Sequence, residues 1–295
     1  MPGSARRLTG KAVAEDIKAD LALRIDRLKS HGVTPSLHLV RIGTSDDDVR
    51  YQRTLVRAGE SVGVRITVDE LAEDVAQDDL EASLQLANDS SCVHGILVFQ
   101  PLPAHLNTRR VNAMIYPTKD VDGLSPTNQA LIYQGSQLGI APCTASSVVA
   151  ILKHYDVPLP GARVTIVGRS LVVGKPLAML LLRENATVTM CHSHTKYLAK
   201  CTKDADVVVA AIGRRKLLGA EYFAPGQTVV DVGIHVDDDG SLVGDVDIDE
   251  ADSIVEAITP AKDGIGSITT MIMLEHLVTA TEKLSGFNTT EWRHA

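Results

Sequence analysis

The sequence has few aromatic residues, no long apolar run and no excess of basic charge. Aromatic residues make up 3% of the 295 residues, and the formal net charge is −8 at pH 7. An acidic chain lacks the basic face that nucleic acid requires, so we expect no nucleic-acid partner. No apolar run approaches 18 residues, so we expect no membrane span. Local Arg and Lys side chains can still hold a small anionic ligand.

The cysteines form no recognisable framework. There are four of them, Cys92, Cys143, Cys191 and Cys201, with no C-x-x-C pair. The N-terminal residues contain no apolar export segment. This usage is typical of a reducing compartment, and we expect a cytoplasmic protein. Cys191, His192 and His194 cluster too tightly for a strand-borne zinc site and have no partner pair, so no metal site is predicted.

What the sequence does contain is an alternation of helical and strand patterns, long enough for two domains. The predicted helices span residues 8–30, 46–61, 78–87, 108–114 and 269–284. The predicted strands span residues 36–41, 64–71, 95–99, 164–167, 187–191, 205–211, 228–232 and 254–258. A turn-rich loop at 116–126 separates the two halves. The alternation predicts an α/β protein whose second domain is a Rossmann-like, doubly wound parallel sheet.

The most informative stretch begins at the strand Val164–Val167. Gly168-Arg169-Ser170 follows it directly, and Gly174-Lys175-Pro176 then opens an apolar helix. A strand, a glycine turn and a helix together present backbone N–H groups and a helix N-terminus to a phosphate. Only two glycines are present, so the motif is not G-x-G-x-x-G, and an ordinary strand-to-helix turn stays open. Proline at position 176 suits the first turn of a helix.

The end of the next strand indicates which dinucleotide is bound. NAD-specific sites commonly place Asp or Glu there to accept from the ribose 2′-OH. This strand end carries His192 and Ser193 instead. Together with Arg169 they can meet a 2′-phosphate without like-charge repulsion. The pattern favours NADP over NAD.

Two further features have two interpretations each. The segment from Lys119 to Gly123 reads KDVDG, which fits either a turn or a carboxylate that holds a heterocycle at the mouth of a cleft. Tyr51 lies on the second predicted helix, with Leu55 one turn later on the same face. Such a tyrosine is either core or a platform for a ligand, and the pattern alone favours core.

These motifs, in this order and spacing, resemble the methylenetetrahydrofolate dehydrogenase/methenyltetrahydrofolate cyclohydrolase family over nearly the whole chain. The matching segments are 95–98 with 101–103, 119–123, 142–144, 167–170 with 173–176, 185–188 with 191–193, 231–234, 244–246 and 258–260. The resemblance implies two reactions on one folate. A hydride leaves 5,10-methylenetetrahydrofolate for NADP, and water then opens the 5,10-methenyl product to 10-formyltetrahydrofolate.

The resemblance also implies an architecture. It predicts a folate-binding catalytic domain at residues 1–145 plus 264–295 and an NADP-binding domain at 146–263, with a folate cleft between them. The expected substrates are tetrahydrofolate derivatives, and the expected assembly is a homodimer.

Individual roles follow from the same resemblance. Tyr51 is expected to stack on the p-aminobenzoyl ring, and Asp122 to bind the pterin. The residues expected at the cofactor are Gly168, Arg169, Ser170, Gly174, Pro176, Ser193 and Ile234.

The chain departs from the family where water is activated. The family has Tyr-x-x-x-Lys on the second helix, whereas this chain has Leu55 at the lysine position. The family's Gln after Gly-Ile-Leu-Val is Phe99 here, and Gln100 comes one residue later, which on a strand points to the opposite face. Asp48 replaces a serine of the same helix. Lys262, in an altered late loop, is either a substitute proton-handling group or a solvated charge.

Leucine does not titrate, and one general acid–base group contributes roughly 10² to 10⁴ in rate. We therefore predict that the dehydrogenase is retained and that much of the cyclohydrolase is lost, with Tyr51, Asp122, Gln100 and Lys262 as the candidate catalytic residues. One alternative is an inactive relative that binds folate or NADP as a sensor or partner. Another is an enzyme with a different substrate, which the retained Asp122 argues against.

Overall fold

The computed structural model describes residues 4–287, which form two compact units, each containing its own parallel sheet. The small-sheet unit comprises residues 16–141 and 270–287, and the large-sheet unit comprises residues 4–15 and 142–269. These bounds differ from the predicted domain bounds mainly at residues 4–15, which group with the large-sheet unit. No helix in the described part of the chain is long and apolar enough to cross a membrane.

The small-sheet unit has three parallel strands in the order β3-β2-β4. The strands are β2 Ser36–Ile42, β3 Arg65–Leu71 and β4 Gly95–Val98. The helices up to residue 133 are α1 Gly10–Ser30, α2 Asp46–Val62, α3 Gln77–Asp89, α4 Thr108–Met114 and α5 Pro126–Tyr133. All four residues of β4 are buried, as expected for a parallel strand covered on both faces.

The large-sheet unit has six parallel strands in the order β1-β11-β8-β7-β5-β6. These are β1 Arg6–Arg7, β5 Arg163–Val167, β6 Thr187–Cys191, β7 Val207–Ala210, β8 Thr228–Asp231 and β11 Ala257–Ile258. A separate antiparallel pair, β9 His235–Val236 and β10 Leu242–Val243, follows β8. The helices of this unit are α6 Cys143–His154, α7 Gly174–Arg183, α8 Leu198–Lys203 and α9 Ile248–Ala251, with a 3₁₀ turn at Ala220–Tyr222. The last helix, α10 Gly266–Leu284, begins in this unit and belongs to the small-sheet unit from residue 270 onward.

The position of β5 in this sheet determines where a ligand can bind. The strand that follows it, β6, pairs on one side of β5, and the next strand, β7, pairs on the other. The winding direction therefore reverses at β5. In open parallel sheets, ligands bind beyond the carboxyl ends of the strands at such a reversal. The predicted doubly wound sheet is confirmed, and its reversal point lies at the glycine turn after β5.

Several elements were not predicted, among them α5 and β1. Helix α5 begins at the last residue of the predicted loop, and the Ser125 side chain caps it by accepting a hydrogen bond from the Asn128 N–H at 3.3 Å. Strand β1 has two residues, too few to show a periodic pattern, and it joins the sheet by pairing Arg6 with Ala257 and Arg7 with Ile258.

Candidate active site

The turn after β5 requires glycine at two positions. Gly168 has φ +141°, and a Cβ there would overlap the carbonyl oxygen of Ala211. A Cβ on Gly174, the first residue of α7, would overlap the carbonyl oxygen of Gly168. Three backbone segments thus approach each other with no side chain between them. This packing holds the turn against the first residues of α7, whose backbone N–H groups are the kind of donor that a pyrophosphate needs. We call residues 168–174 the glycine cradle.

The rest of the turn is fixed by its own hydrogen bonds. The Val173 N–H donates to Ser170 Oγ at 3.0 Å, and the Lys175 N–H donates to the Ser170 carbonyl at 3.1 Å. The Ser170 hydroxyl hydrogen is still free to donate to a ligand. Pro176 is the third residue of α7 and is partly buried, while Arg169 is exposed.

The turn after β6 lies beside it, because the Gly168 N–H donates to the Cys191 carbonyl at 2.9 Å. His192 Nδ1 accepts from the His194 N–H at 3.1 Å, so the neutral ring carries its proton on Nε2, where it can donate to an anion. Ser193 is exposed. No carboxylate stands in residues 191–195. The turn therefore presents no acidic side chain that would repel a 2′-phosphate.

Two buried carboxylates organise the loops after β7 and β8. No role was predicted for either of them. The Asp245 carboxylate is inaccessible to solvent and accepts from the N–H groups of Ile212, Gly213 and Arg214 at 2.6, 3.0 and 2.9 Å. It also accepts from His235 Nε2 at 2.8 Å. The signal in the sequence was an aspartate beside a glycine, Gly244-Asp245, within the resemblance.

The second carboxylate, Asp231, ends β8 and is 2% exposed. It accepts from the backbone N–H groups of Gly233, Asp245 and Val246 at 2.9, 3.0 and 2.9 Å. Gly233 is held by Asp231 and His235 by Asp245, so Ile234 lies between two anchored residues. Its side chain is 52% exposed at the carboxyl end of β8, where we predicted a cofactor contact.

Burial raises the pKa of Asp231 to about 6, against the opposing effect of its three backbone donors. The folded chain then binds more protons than the unfolded chain between about pH 4 and pH 6. The contribution of Asp231 to the free energy of unfolding is therefore highest below pH 4. It falls as the pH rises from about 4 to about 6, and it is constant above that range.

We expect the difference in unfolding free energy between wild type and Asp231→Asn to change by roughly 3 kcal/mol between pH 4 and pH 7. Urea denaturation at fixed pH values, followed by circular dichroism, measures it. The slope is the readout, since asparagine also shifts the absolute stability. Parallel pH profiles for the two proteins would contradict the assignment.

In the small-sheet unit, Tyr51 and Phe99 form an aromatic pair. Their ring centroids are 5.3 Å apart at an interplanar angle of 42°. Phe99 is 7% exposed and Tyr51 is 42% exposed, so the core interpretation of Tyr51 is wrong. Phe99 follows β4, where its N–H donates to the Val40 carbonyl at 2.9 Å. Leu55, one helical turn after Tyr51, is fully buried. The exposed tyrosine ring thus packs against the apolar ring of Phe99.

The other candidate catalytic residues belong to other segments of the chain. The exposed carboxamide of Gln100 donates to Asn112 Oδ1 on α4 at 2.8 Å. The residue that contacts Tyr51 is Phe99. Lys262 is exposed and belongs to the loop before α10 in the large-sheet unit. Asp122 is partly buried in the small-sheet unit. The one-residue shift after β4 therefore has the predicted consequence for Gln100.

The KDVDG segment is held by charges that serve structure. The Lys119 ammonium is buried and donates to the Asn88 and Ser90 carbonyls at 2.7 Å each, and burial lowers its pKa. The Asp120 carboxylate accepts from the Ser125 N–H at 2.7 Å and from Asn128 Nδ2 at 2.9 Å. Both side chains fix the backbone that leads to Asp122.

His276 on α10 also supports this segment, and no pattern in the sequence indicates that role. Its Nδ1 donates to the Val121 carbonyl at 2.9 Å. Burial lowers the pKa of the imidazole, so the neutral tautomer with the proton on Nδ1 makes this bond. The residue before Asp122 is therefore tied to α10.

Comparison with known families and proteins agrees with this geometry. Residues 8–122 match the sequence model of the tetrahydrofolate dehydrogenase/cyclohydrolase catalytic domain. Residues 142–285 match that of the tetrahydrofolate dehydrogenase/cyclohydrolase NAD(P)-binding domain. The bifunctional protein FolD of Clostridium botulinum strain Langeland is 46% identical over 278 residues, which covers 94% of this chain and 99% of the relative. FolD of Clostridioides difficile is 46% identical over 273 residues, covering 92% and 95%.

Solved structures show the same fold. The bifunctional FolD of Campylobacter jejuni has a TM-score of 0.93 and 36% identity, covering 95% of this chain and 99% of its own. The Trypanosoma brucei dehydrogenase-cyclohydrolase, solved with NADP cofactor and an inhibitor, has a TM-score of 0.89 and 34% identity, covering 96% and 99%. With both domain models matched and relatives aligned over nearly their full lengths, this chain belongs to the tetrahydrofolate dehydrogenase/cyclohydrolase family.

Proposed function

We propose that this chain is an NADP-dependent 5,10-methylenetetrahydrofolate dehydrogenase in which hydrolysis of the methenyl product is slow. The observation that carries the proposal is the intact glycine cradle at 168–174 beside a carboxylate-free turn at 191–195, in a member of this family. The relatives named above are bifunctional, and one was solved with NADP. The described residues of the nucleotide half supply a glycine turn, a helix N-terminus and no carboxylate between positions 191 and 195, which supports this cofactor.

The residues of the large-sheet unit divide the cofactor between them. The pyrophosphate would be held at the start of α7 and at the turn before it, by Gly168, Ser170, Gly174 and Pro176. Arg169, His192 and Ser193 would hold the 2′-phosphate, and Ile234 would contact the nicotinamide end. When bound, NADP supplies the acceptor for the hydride that leaves the folate methylene carbon. The chain's contribution is to hold the two molecules in line.

In the small-sheet unit, Tyr51 would stack on the p-aminobenzoyl ring and Asp122 would hydrogen-bond the pterin. Hydride loss leaves a positively charged 5,10-methenyl amidinium, and no proton moves to the protein in that step. Hydrolysis of the amidinium does need proton transfer from water, which Leu55 cannot accept. Leu55 is instead fully buried, and the apolar ring of Phe99 packs against Tyr51. The geometry therefore supports the first reaction and removes a group needed for the second.

A paired assay on the purified chain tests the proposal. Oxidation of 5,10-methylenetetrahydrofolate with NADP⁺ is followed at 340 nm, and decay of added 5,10-methenyltetrahydrofolate is compared with the buffer rate. We expect turnover in the first assay and a hydrolysis rate at least 10²-fold below that of a lysine-bearing relative in the second. No NADP-linked oxidation, with both ligands bound, would identify an inactive binding relative instead. Equal hydrolysis in the two proteins would overturn the proposed loss.

Cellular setting and assembly form part of the same proposal. Tetrahydrofolate derivatives are the substrates, the two chains of a homodimer are the active assembly, and the cytoplasm is the compartment, as the family resemblance implies. We also propose the domain roles given above, folate with residues 1–145 plus 264–295 and NADP with 146–263. Sedimentation velocity distinguishes a dimer from the 31.6 kDa single chain.

A further inference from the structure

Three consecutive basic residues follow β7, and they are not equivalent. Arg215 Nη1 lies 2.7 Å from Asp237 Oδ1 and 3.1 Å from Asp238 Oδ1. Lys216 Nζ lies 3.4 Å from Asp237 Oδ2. Arg214 is exposed, and its guanidinium makes no hydrogen bond or ion pair with any residue between 4 and 287. Two of the three charges are therefore neutralised locally, and one is available to a ligand.

The backbone that carries Arg214 is anchored. Its N–H donates to the buried carboxylate of Asp245 at 2.9 Å, as do the N–H groups of the two preceding residues. His235 Nε2 holds the same carboxylate at 2.8 Å. The Asp245 carboxylate is inaccessible to solvent and accepts four hydrogen bonds, so it holds the backbone of this loop as far as Arg214. Because the backbone is already ordered, less conformational entropy is lost when the Arg214 side chain binds an anion.

The loop after β7, which carries Arg214, also lies next to the glycine turn after β5. Strand β7 pairs with β5 on the side opposite β6, and the Ala211 N–H donates to the Val167 carbonyl at 2.9 Å. Ala211 is also the residue whose carbonyl requires glycine at position 168. The glycine cradle therefore has Arg214 in the loop on its β7 side and His192 and Ser193 in the turn on its β6 side. Arg169 stands on the cradle itself.

We propose that Arg214 is a further cofactor-binding residue, which contacts the dinucleotide pyrophosphate from the β7 side of the cradle. The proposal rests on the proposed function. A chain of net charge −8 needs local positive charge to hold a dinucleotide, and arginine suits a phosphate because its donors form a planar fork. The position of β7 assigns Arg214 to the pyrophosphate, since the 2′-phosphate is expected at the end of β6.

The test compares three ligands that carry different phosphates: NADP⁺, NAD⁺ and adenosine 2′-monophosphate (2′-AMP), which has the 2′-phosphate but no phosphate on the 5′ side. Binding to the full chain is measured by isothermal titration calorimetry. We expect Arg214→Ala to weaken NADP⁺ and NAD⁺ by the same factor, about tenfold, and to leave 2′-AMP unchanged. Arg214→Lys should recover part of the loss. Arg169→Ala should show the other pattern, weakening NADP⁺ and 2′-AMP more than NAD⁺.

Arg215→Ala is the matched control, because it removes the neighbouring guanidinium, which is paired with Asp237 and Asp238. It should bind all three ligands like wild type. Unchanged NADP⁺ affinity in Arg214→Ala, an equal loss in Arg215→Ala, or weaker 2′-AMP binding in Arg214→Ala would each overturn the assignment. If wild type binds neither NADP⁺ nor 2′-AMP, the proposed function fails instead. Melting temperatures confirm that each variant is folded.

Discussion

Replacing Asp245 with alanine is expected to destabilise the large-sheet unit by roughly 2 to 4 kcal/mol, because four donors lose the buried carboxylate that they share. Three are the backbone N–H groups of residues 212–214, and the fourth is His235 Nε2. A fully buried donor left unpaired costs about 1 to 3 kcal/mol, and these donors are only partly buried, so water offsets a share of that cost. The loop beside the glycine cradle should lose its single conformation.

Urea denaturation monitored by circular dichroism measures this loss, and calorimetry measures the accompanying loss of NADP⁺ affinity. Asp249→Ala is the matched control, since it removes an exposed carboxylate four residues later on α9. We expect that variant to stay within about 0.5 kcal/mol of wild type. A destabilisation below about 1 kcal/mol in Asp245→Ala would show that the loop is held by something other than this carboxylate.

Asp245→Asn separates charge from shape. The amide keeps one oxygen, which accepts from two donors, and places an NH₂ group against the others. We expect a loss between those of Asp249→Ala and Asp245→Ala. If asparagine restores wild-type stability, hydrogen-bond geometry alone is sufficient.

The parts of this fold that the sequence predicts are those that local patterns determine. A buried parallel strand such as Gly95–Val98 is continuously apolar, and the glycine turn at 168–174 is encoded within ten residues. The end of β6 is also local, so the absence of an acidic residue there is visible without a structure. Strand β1 was missed because only its pairing with β11, some 250 positions away, makes it a strand.

The supports of the site are not local. Asp231 and Asp245 are 14 positions apart, and each is defined by donors from another loop. A sequence shows an aspartate beside a glycine but not that its carboxylate is buried. His276 likewise reaches Val121 across 155 positions. Gln100 was the intermediate case, because the one-residue shift was readable, whereas its partner Asn112 was not.

The largest functional gain is expected from Leu55→Lys combined with Phe99→Gln. The pair restores a titratable amine one turn after Tyr51 and a polar neighbour at the end of β4. Leu55 is fully buried, and burial lowers the pKa of a lysine, which increases the neutral amine available as a base near pH 7. Because one acid–base group contributes roughly 10² to 10⁴, we expect methenyl hydrolysis to rise by at least about 10²-fold.

Leu55→Met combined with Phe99→Gln is the control, since methionine has a similar volume and no amine. NADP-linked oxidation, measured in the same preparations, shows that each variant still holds folate and cofactor. Burying an amine destabilises the chain, so melting temperatures should fall in the lysine variant and much less in the methionine variant. Suppose both variants oxidise the substrate normally and hydrolyse the methenyl compound at the same rate. The missing lysine would then not explain the slow hydrolysis. The packing of Tyr51, Leu55 and Phe99 would instead have to keep water away from the folate.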